Sequence, residues 1–315
     1  MSKRKIVLIG CGAVGSSFIY SAINQSLAQE YVLIDAFEAI AEGNAIDFAD
    51  CQAGLDHPFT SIKSGNYNDC KDADIIVITA GRPQKDGETR LNMVIDNAKI
   101  MKDISLQVKK SGFKGVTIIA SNPVDIMTAV YQKVTQFDYH KVLGTGTILD
   151  SLRLQHLIAE KIEVNPKSVA AYVIGEHGDS SMIPWSSVSV GNKNIYQQVA
   201  EGRIKKEELN QLRDEVAQRA YKIIKLKRAT FYGIGVALAL LVRNILEGQN
   251  NILVAGAYLQ GEYGHRGFYI GVPTILNEKG WKKIVELPLT KEEQIAFDKS
   301  CAIVKDTLEK TFVTI

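Results

Sequence analysis

Residues 174–180 read Ile-Gly-Glu-His-Gly-Asp-Ser, and His177 at their centre is the residue best suited to chemistry in the chain. An imidazole titrates near neutral pH, so it can give or take a proton in water. Gly175 and Gly178 keep the backbone on both sides bare, and Glu176 and Asp179 set a carboxylate on each shoulder. A surface turn that happens to hold a histidine fits the same seven residues, and one short motif does not separate the two readings. Asp150 and Arg153 stand three residues apart and share a face if their stretch is helical. They are either an ordinary surface ion pair, worth little, or a working unit. In the second reading Asp150 accepts the Nδ1 proton of His177, fixes its tautomer and raises its pKa. Arg153 then grips a substrate carboxylate through two parallel hydrogen bonds.

The other chemistry-bearing stretch is Gly10-Cys11-Gly12-Ala13-Val14-Gly15. A β-branched run at 6–9 precedes it, and apolar residues then recur with helical spacing at Val14, Phe18 and Ala22. A second apolar run, 31–34, ends at Asp35, about twenty residues past Gly15. Strand, glycine loop, helix, strand and acid make a dinucleotide-binding unit. Gly10 makes the tight turn, Gly12 admits a pyrophosphate to the backbone, and Gly15 lets helix and strand pack closely. The helix N-terminus supplies N–H groups and positive dipole. Asp35 accepts hydrogen bonds from the adenosine ribose and repels a 2′-phosphate, which points to NAD rather than NADP.

These residues need a scaffold, and the rest of the first half supplies one. Helical stretches at 38–50, 91–108 and 124–134 alternate with strands near Ile62, at 75–79, at 116–119 and near Val142. Such alternation predicts an α/β fold with a doubly wound parallel sheet of the Rossmann type. Ligands in such sheets sit beyond the carboxyl ends of the strands, which singles out the loops 10–15, 81–90 and 121–123. The polar, glycine-containing loop 81–90 reads as a mobile lid or as a plain solvated loop. Asn122-Pro123 reads as a cis peptide placing an amide beside the ligand, or as a simple turn.

Past Gly144 the pattern becomes mixed. Helices are expected at 149–161, 206–227 and 232–247, and a strand at 170–174 leads into His177. Short strands are expected at 185–190 and 193–196, and an antiparallel group at 252–259, 268–272 and 281–285. Thr290 and Glu293 form a capping box for a last helix running towards Lys310. The expected division is a cofactor domain, 1–144, and a mixed α+β substrate domain, 145–315, with the 232–247 helix packing back onto the first.

Bulk properties narrow the partners. At 315 residues the chain is too long for one small core. A net charge of +2 gives no electrostatic case for nucleic acid or an anionic membrane. The four cysteines (Cys11, Cys51, Cys70, Cys301) are scattered, which argues against a disulfide framework or a zinc site and for a reducing, cytoplasmic setting. A basic start followed by the 6–9 run could open a secretory signal, but the glycines at 10, 12 and 15 interrupt it. No apolar stretch is long enough to span a bilayer.

Six motifs in order resemble the lactate/malate dehydrogenase family, in its L-lactate branch, over almost the whole chain. They are the 10–15 loop, Asp35, residues 83–90 (Pro-Gln-Lys-Asp-Gly-Glu-Thr-Arg), residues 121–125 (Ser-Asn-Pro-Val-Asp), residues 144–153 (Gly-Thr-Gly-Thr-Ile-Leu-Asp-Ser-Leu-Arg) and residues 174–180. The resemblance implies reversible hydride transfer between NADH and pyruvate, giving L-lactate in fermentation, and it favours the working readings of the ion pair and the lid. His177 is then the proton donor, Asp150 its stabiliser, and Arg153 the carboxylate clamp. Arg90 polarises the carbonyl, Asn122 and Thr230 line the substrate, and Ile234 packs on the nicotinamide. The implied cofactor set is Gly10, Gly12, Val14, Gly15, Asp35, Gly81, Ser121, Asn122, Thr145 and Ile234.

Malate-specific relatives carry Arg where this chain has Gln84, so a neutral Gln84 favours a monocarboxylate. Arg82 lies two residues earlier, but the spacing of the 83–90 run puts Gln84 at the discriminating position. Relatives activated by fructose 1,6-bisphosphate carry Arg and His where this chain has Gln155 and Ala170, so no activation by that effector is expected. Two residues depart from the pattern: Asp86 replaces a usual Pro in the lid, and Arg228 replaces a small residue two before Thr230. A homotetramer without an extended N-terminal arm is implied. The alternatives are a broader hydroxyisocaproate-type 2-hydroxyacid dehydrogenase, which Gln155 also resembles, and a non-catalytic NAD-binding or structural protein.

Overall fold

The structure, a computed structural model, describes residues 4–82 and 90–315, and for Arg90 and Leu91 the backbone alone. Six parallel strands form its first half: β1 (Lys5–Ile9), β2 (Glu30–Ile34), β3 (Ser61–Ser64), β4 (Ile75–Ile78), β5 (Val116–Ile119) and β6 (Val142–Gly144). Their spatial order is 3-2-1-4-5-6, the doubly wound order whose ligand crevice lies where the winding reverses, between β1 and β4. The inner strands β1, β4 and β5 are buried at every residue. That explains why β4 reads as an unbroken apolar run and why Lys5 and Thr117 are the only polar residues in β1 and β5. The edge strand β3 is Ser-Ile-Lys-Ser and mostly exposed, so only Ile62 marked it. Helices α1 (Ala13–Asn24), α2 (Glu38–Asp50), α3 (Arg90–Ser111) and α4 (Val124–Thr135) cover the sheet.

The second half opens with α5 (Ile148–Ile162) and a small antiparallel sheet of β7 (Val169–Ala170), β8 (Ser189–Val190) and β9 (Lys193–Asn194). A separate apolar cluster joins these to the first part of α7 (Lys206–Lys227), through Leu154, Ile158, Val188, Leu209 and Leu212. The expected strand at 170–174 is shorter than its apolar run. Ile174 and Gly175 leave β7 and pair instead with Met182 and Gly271. The expected strand at 193–196 stops at Asn194 because α6 (Ile195–Ala200) begins there. The Asn194 side chain accepts from Tyr196 N, and Gln197 reaches back to Asn194 N. This capping box was present in the sequence and overrides the β-branched Ile195.

The three antiparallel strands β10 (Ile252–Gln260), β11 (Arg266–Asn277) and β12 (Gly280–Ile284) do not stand apart. They extend the parallel sheet to nine strands, β10 lying against β6 with Gly256 opposite Gly144. A Cβ on Gly256 would stand 3.0 Å from the Gly144 Cα, so two bare backbones make this junction. Helix α8 (Tyr232–Glu247) lies on α1, where a Cβ on Gly235 would meet Ser17 backbone at 2.8 Å. The last helix, α9 (Lys291–Thr314), starts at the Thr290–Glu293 capping box. Among the described residues no helix is long and apolar enough to cross a membrane.

Candidate active site

The glycine loop is locked by its backbone. Gly10 has φ +101°, and a Cβ there would stand 2.5 Å from Ala80 N. Gly10 N donates to Ile34 O at 2.8 Å, and Thr79 Oγ1 donates to Gly10 O at 2.6 Å. A Cβ on Gly15 would lie 2.2 Å from Gly10 O, so only glycine lets α1 approach β1 this closely. Gly12 differs from both, since nothing lies within 4 Å of its Cβ position. It is also the N-cap of α1 and makes no side-chain cap, so the first-turn N–H groups face an open cradle. Val14 is half-buried in that first turn.

Asp35, just past β2, is fixed by two backbone donors, Cys11 N at 2.7 Å and Phe37 N at 3.0 Å. Each carboxylate oxygen keeps a lone pair for a ribose hydroxyl. Burial, then the Asp35 charge, pushes the Cys11 thiol up to about 12, so it stays neutral beside the phosphates' path. An open glycine, a bare helix start and a held carboxylate fit a dinucleotide with free ribose hydroxyls.

Across the crevice, Ser121 Oγ donates to Ala80 O at 2.5 Å, and Thr145 N donates to Ile119 O at 2.8 Å. The Asn122-Pro123 bond is cis. Asn97, buried on α3, had no signal in the sequence. It accepts from Arg82 N at 2.9 Å and donates to Asn122 O at 2.9 Å, and so ties the Gly81 turn to the Asn122 loop. Arg82 itself is held on α3 by Asp96, through Nη2 at 2.6 Å and Nε at 3.1 Å. Gln84, the lid residues 83–89 with Asp86, and the Arg90 side chain lie outside the described residues.

Two of the expected catalytic residues, His177 and Asp150, are brought together with the expected carboxylate clamp, Arg153. Asp150, buried in the first turn of α5, accepts from His177 Nδ1 at 2.9 Å through Oδ2 and from Arg153 Nη1 at 3.2 Å through Oδ1. Burial alone would raise the Asp150 carboxyl, but His177 and then Arg153 outweigh it and hold it below the usual carboxylate range. Burial alone would lower the His177 imidazole, but Asp150 outweighs it and holds the ring above its ordinary 6.5. The ring keeps 28% of its side-chain surface exposed, and its Nδ1 is occupied by Asp150, so Nε2 is the edge left for a substrate.

Helix α8 brings in the last two expected residues. Thr230 is half-buried just ahead of it, and Ile234 half-buried in its first turn. Gly233 lies against Leu149 of α5, and Gly235 against Ser17 of α1. Ile234 is thus set between the neighbour of Asp150 and the cofactor helix. Arg228 closes α7 in the left-handed region (φ +70°) and is exposed. Gln155 Nε2 donates to Ala171 O at 3.0 Å, and Ala170 is exposed.

Fold and site together define a dinucleotide-dependent oxidoreductase, with a cofactor crevice on one side and a histidine–carboxylate–arginine group on the other. Residues 4–144 match the lactate/malate dehydrogenase NAD binding domain, and residues 147–314 match the α/β C-terminal domain of the same proteins. The chain therefore belongs to the lactate/malate dehydrogenase family and is an NAD-dependent enzyme. It is 58% identical over 308 residues to an L-lactate dehydrogenase of Mycoplasma capricolum subsp. capricolum, covering 98% of this chain and 96% of that protein. It is 54% identical to an L-lactate dehydrogenase of Mesoplasma florum, covering 98% and 97%. Among solved structures, the ligands-bound minor L-lactate dehydrogenase from Enterococcus mundtii superposes with a TM-score of 0.96 at 42% identity, covering 98% of each chain. The malate dehydrogenase from Plasmodium falciparum superposes with a TM-score of 0.94 at 33% identity, covering 99% of each.

Proposed function

We propose that the chain interconverts pyruvate and L-lactate in fermentation. The observation that carries this is the hydrogen-bonded His177–Asp150–Arg153 group in a chain whose similar curated relatives are L-lactate dehydrogenases. When bound, NAD(H) accepts or supplies the hydride at its nicotinamide. Gly10, Gly12, Val14, Gly15 and Asp35 hold its adenosine and phosphates; Gly81, Ser121, Asn122, Thr145 and Ile234 line its path to the reacting end.

Arg153 grips the substrate carboxylate with the donors that Asp150 leaves open. His177, protonated, gives its Nε2 proton to the carbonyl oxygen; neutral, it takes that proton from the alcohol in the reverse direction. Asp150 stabilises the imidazolium and fixes its tautomer. Arg90 polarises the carbonyl oxygen where negative charge grows, as the lid excludes water. Asn122 and Thr230 complete the pocket. Gln84 leaves a second carboxylate without a partner in the closed site.

The same reading divides the chain at 144/145, places it in the cytoplasm, and assembles it as a homotetramer. Four unpaired thiols suit a reducing compartment. Exposed apolar side chains on α2 and around the end of α7 supply surfaces for self-association.

Steady-state kinetics with a panel of 2-oxo acids and both NADH and NADPH test the reading. Pyruvate with NADH is expected to give the highest kcat/KM. Gln84→Arg is expected to shift preference towards oxaloacetate. A higher kcat/KM for a branched 2-oxo acid would favour the hydroxyisocaproate-type alternative, and no NADH oxidation at all would leave only a binding protein.

A further inference from the structure

The segment carrying His177 is held by side chains from two distant helices. Ile174 and Met182 exchange backbone hydrogen bonds at 2.9 and 2.8 Å, and Gly175 and Gly271 at 2.9 and 3.1 Å. The next two backbone donors are taken by side chains. Glu176 N donates to Ser300 Oγ on α9 at 2.8 Å, and His177 N donates to Asp125 Oδ2 in the first turn of α4 at 2.9 Å. Ser300 is fully buried and Asp125 is 3% exposed. Gly175 makes room for the first contact, since a Cβ there would stand 2.6 Å from Ser300 Oγ.

Ile174 and Met182 pack into the main core, but on one side the segment borders open space. A cavity of about 930 Å³ lies there, lined by Asp125, Glu176, Met182, Ile126 and Ala296 among others. Packing alone does not fix a loop beside such a space, so its backbone height rests on the polar contacts. The other oxygen of Asp125, Oδ1, is buried with no hydrogen-bond partner among the described residues. An unsatisfied buried carboxylate oxygen is costly, and a purely structural clamp would be served as well by a neutral amide.

We infer that Asp125 and Ser300 are positioning residues, a pair of anchors from two helices far apart in sequence that set where His177 stands and aim its Nε2 at the substrate. The inference rests on the reading of His177 as proton donor. Asp125 adds charge to position. It faces His177, Glu176 and Asp150, with Cys301 of α9 also close. Burial pushes the Asp125 carboxyl up to about 7, against the pull of the His177 backbone N–H and ring charge. When ionised, Asp125 helps to hold the imidazolium charged.

Ser300→Ala, Asp125→Asn and Asp125→Ala in the intact enzyme test this, with pyruvate kinetics, NADH binding by fluorescence, and NMR titration of 13C-labelled histidines assigned with His177→Asn. Ser300→Ala is expected to lower kcat by about tenfold or more, the scale of a misplaced catalytic group, with NADH affinity held. Asp125→Ala is expected to lower kcat similarly, and Asp125→Asn to recover part of it, because the amide oxygen still accepts His177 N–H. In Asp125→Asn the His177 titration and the basic limb of the pyruvate profile should both move to lower pH. Wild-type kcat and an unmoved His177 titration in these variants would overturn the inference. So would a loss of NADH affinity and Tm in step with kcat, which marks a merely structural role. If the wild type fails to reduce pyruvate, the functional reading falls, and the NMR titration still decides whether Asp125 tunes His177.

Discussion

His177 is useful only because a buried anion overrules its burial. Partial desolvation favours the neutral ring, and the Asp150 carboxylate 2.9 Å from Nδ1 reverses that preference. Pyruvate reduction needs the protonated form, so its rate is lost as pH rises through the His177 pKa. That pKa is raised above 6.5, and the basic limb of kcat/KM for reduction is therefore expected above pH 6.5. Lactate oxidation needs the neutral ring, and its acid limb should share that position. Asp150→Asn removes the anion and frees the tautomer, so both limbs should move to lower pH and reduction should slow by about 10²–10⁴-fold. Paired pH–rate profiles check this, and unmoved limbs in the variant would break the assignment. The three-residue spacing of Asp150 and Arg153 and the glycines around His177 were legible in the sequence. Their joining was legible only through the resemblance, because no local pattern relates residues 27 positions apart. Asn97 and Ser300 were not legible at all. Each is one polar residue among many in its helix, and only the fold reveals the backbone groups it meets.

At the level of elements, glycine contacts separate what builds the fold from what serves the ligand. Gly235 is structural, because α8 reaches Ser17 of α1 only without a Cβ. Gly12 is not, because the space at its Cβ position is empty. Gly235→Ala is accordingly expected to cost about 1–3 kcal/mol by overpacking, with a lower Tm and, through displaced Ile234, weaker NADH binding. Gly12→Ala should leave the Tm near the wild-type value while NADH binding falls, since the added methyl enters the cradle. Thermal melts beside NADH titrations distinguish the pair. Equal losses of Tm in both would mean that Gly12 is also a packing glycine. The helices α7 and α8 were read from the sequence to their ends, because long amphipathic periods are strong local signals. Their partners were harder to read. The fusion of β10 to β6 rests on two lone glycines, and the early stop of β9 on a cap competing with a β-branched residue.

The whole molecule presents surfaces that a single chain leaves unfinished. Phe37 is 71% exposed ahead of α2, with Ile40 and Ile46 along that helix, and Ile224, Leu226 and Tyr232 are exposed around the end of α7. Apolar side chains gathered in two such places suit self-association better than solvent. The homotetramer proposed above predicts a sedimentation mass near four times that of the chain, and Ile46→Asp should lower it. Effector response belongs to the same scale, and it turns on the two positions where relatives activated by fructose 1,6-bisphosphate carry Arg and His. Gln155 is neutral and already directs its amide to Ala171 O, while Ala170 offers only a methyl to solvent. Neither supplies the charge-assisted hydrogen bonds that hold a phosphate. A ligand without differential affinity for two states cannot shift them, so fructose 1,6-bisphosphate should change neither the pyruvate KM nor the sedimentation profile. A large fall in KM on adding it would show that other cations hold the effector. Gln155→Arg with Ala170→His, the pair that effector-dependent relatives carry, should then be the change that creates a response where the wild type has none.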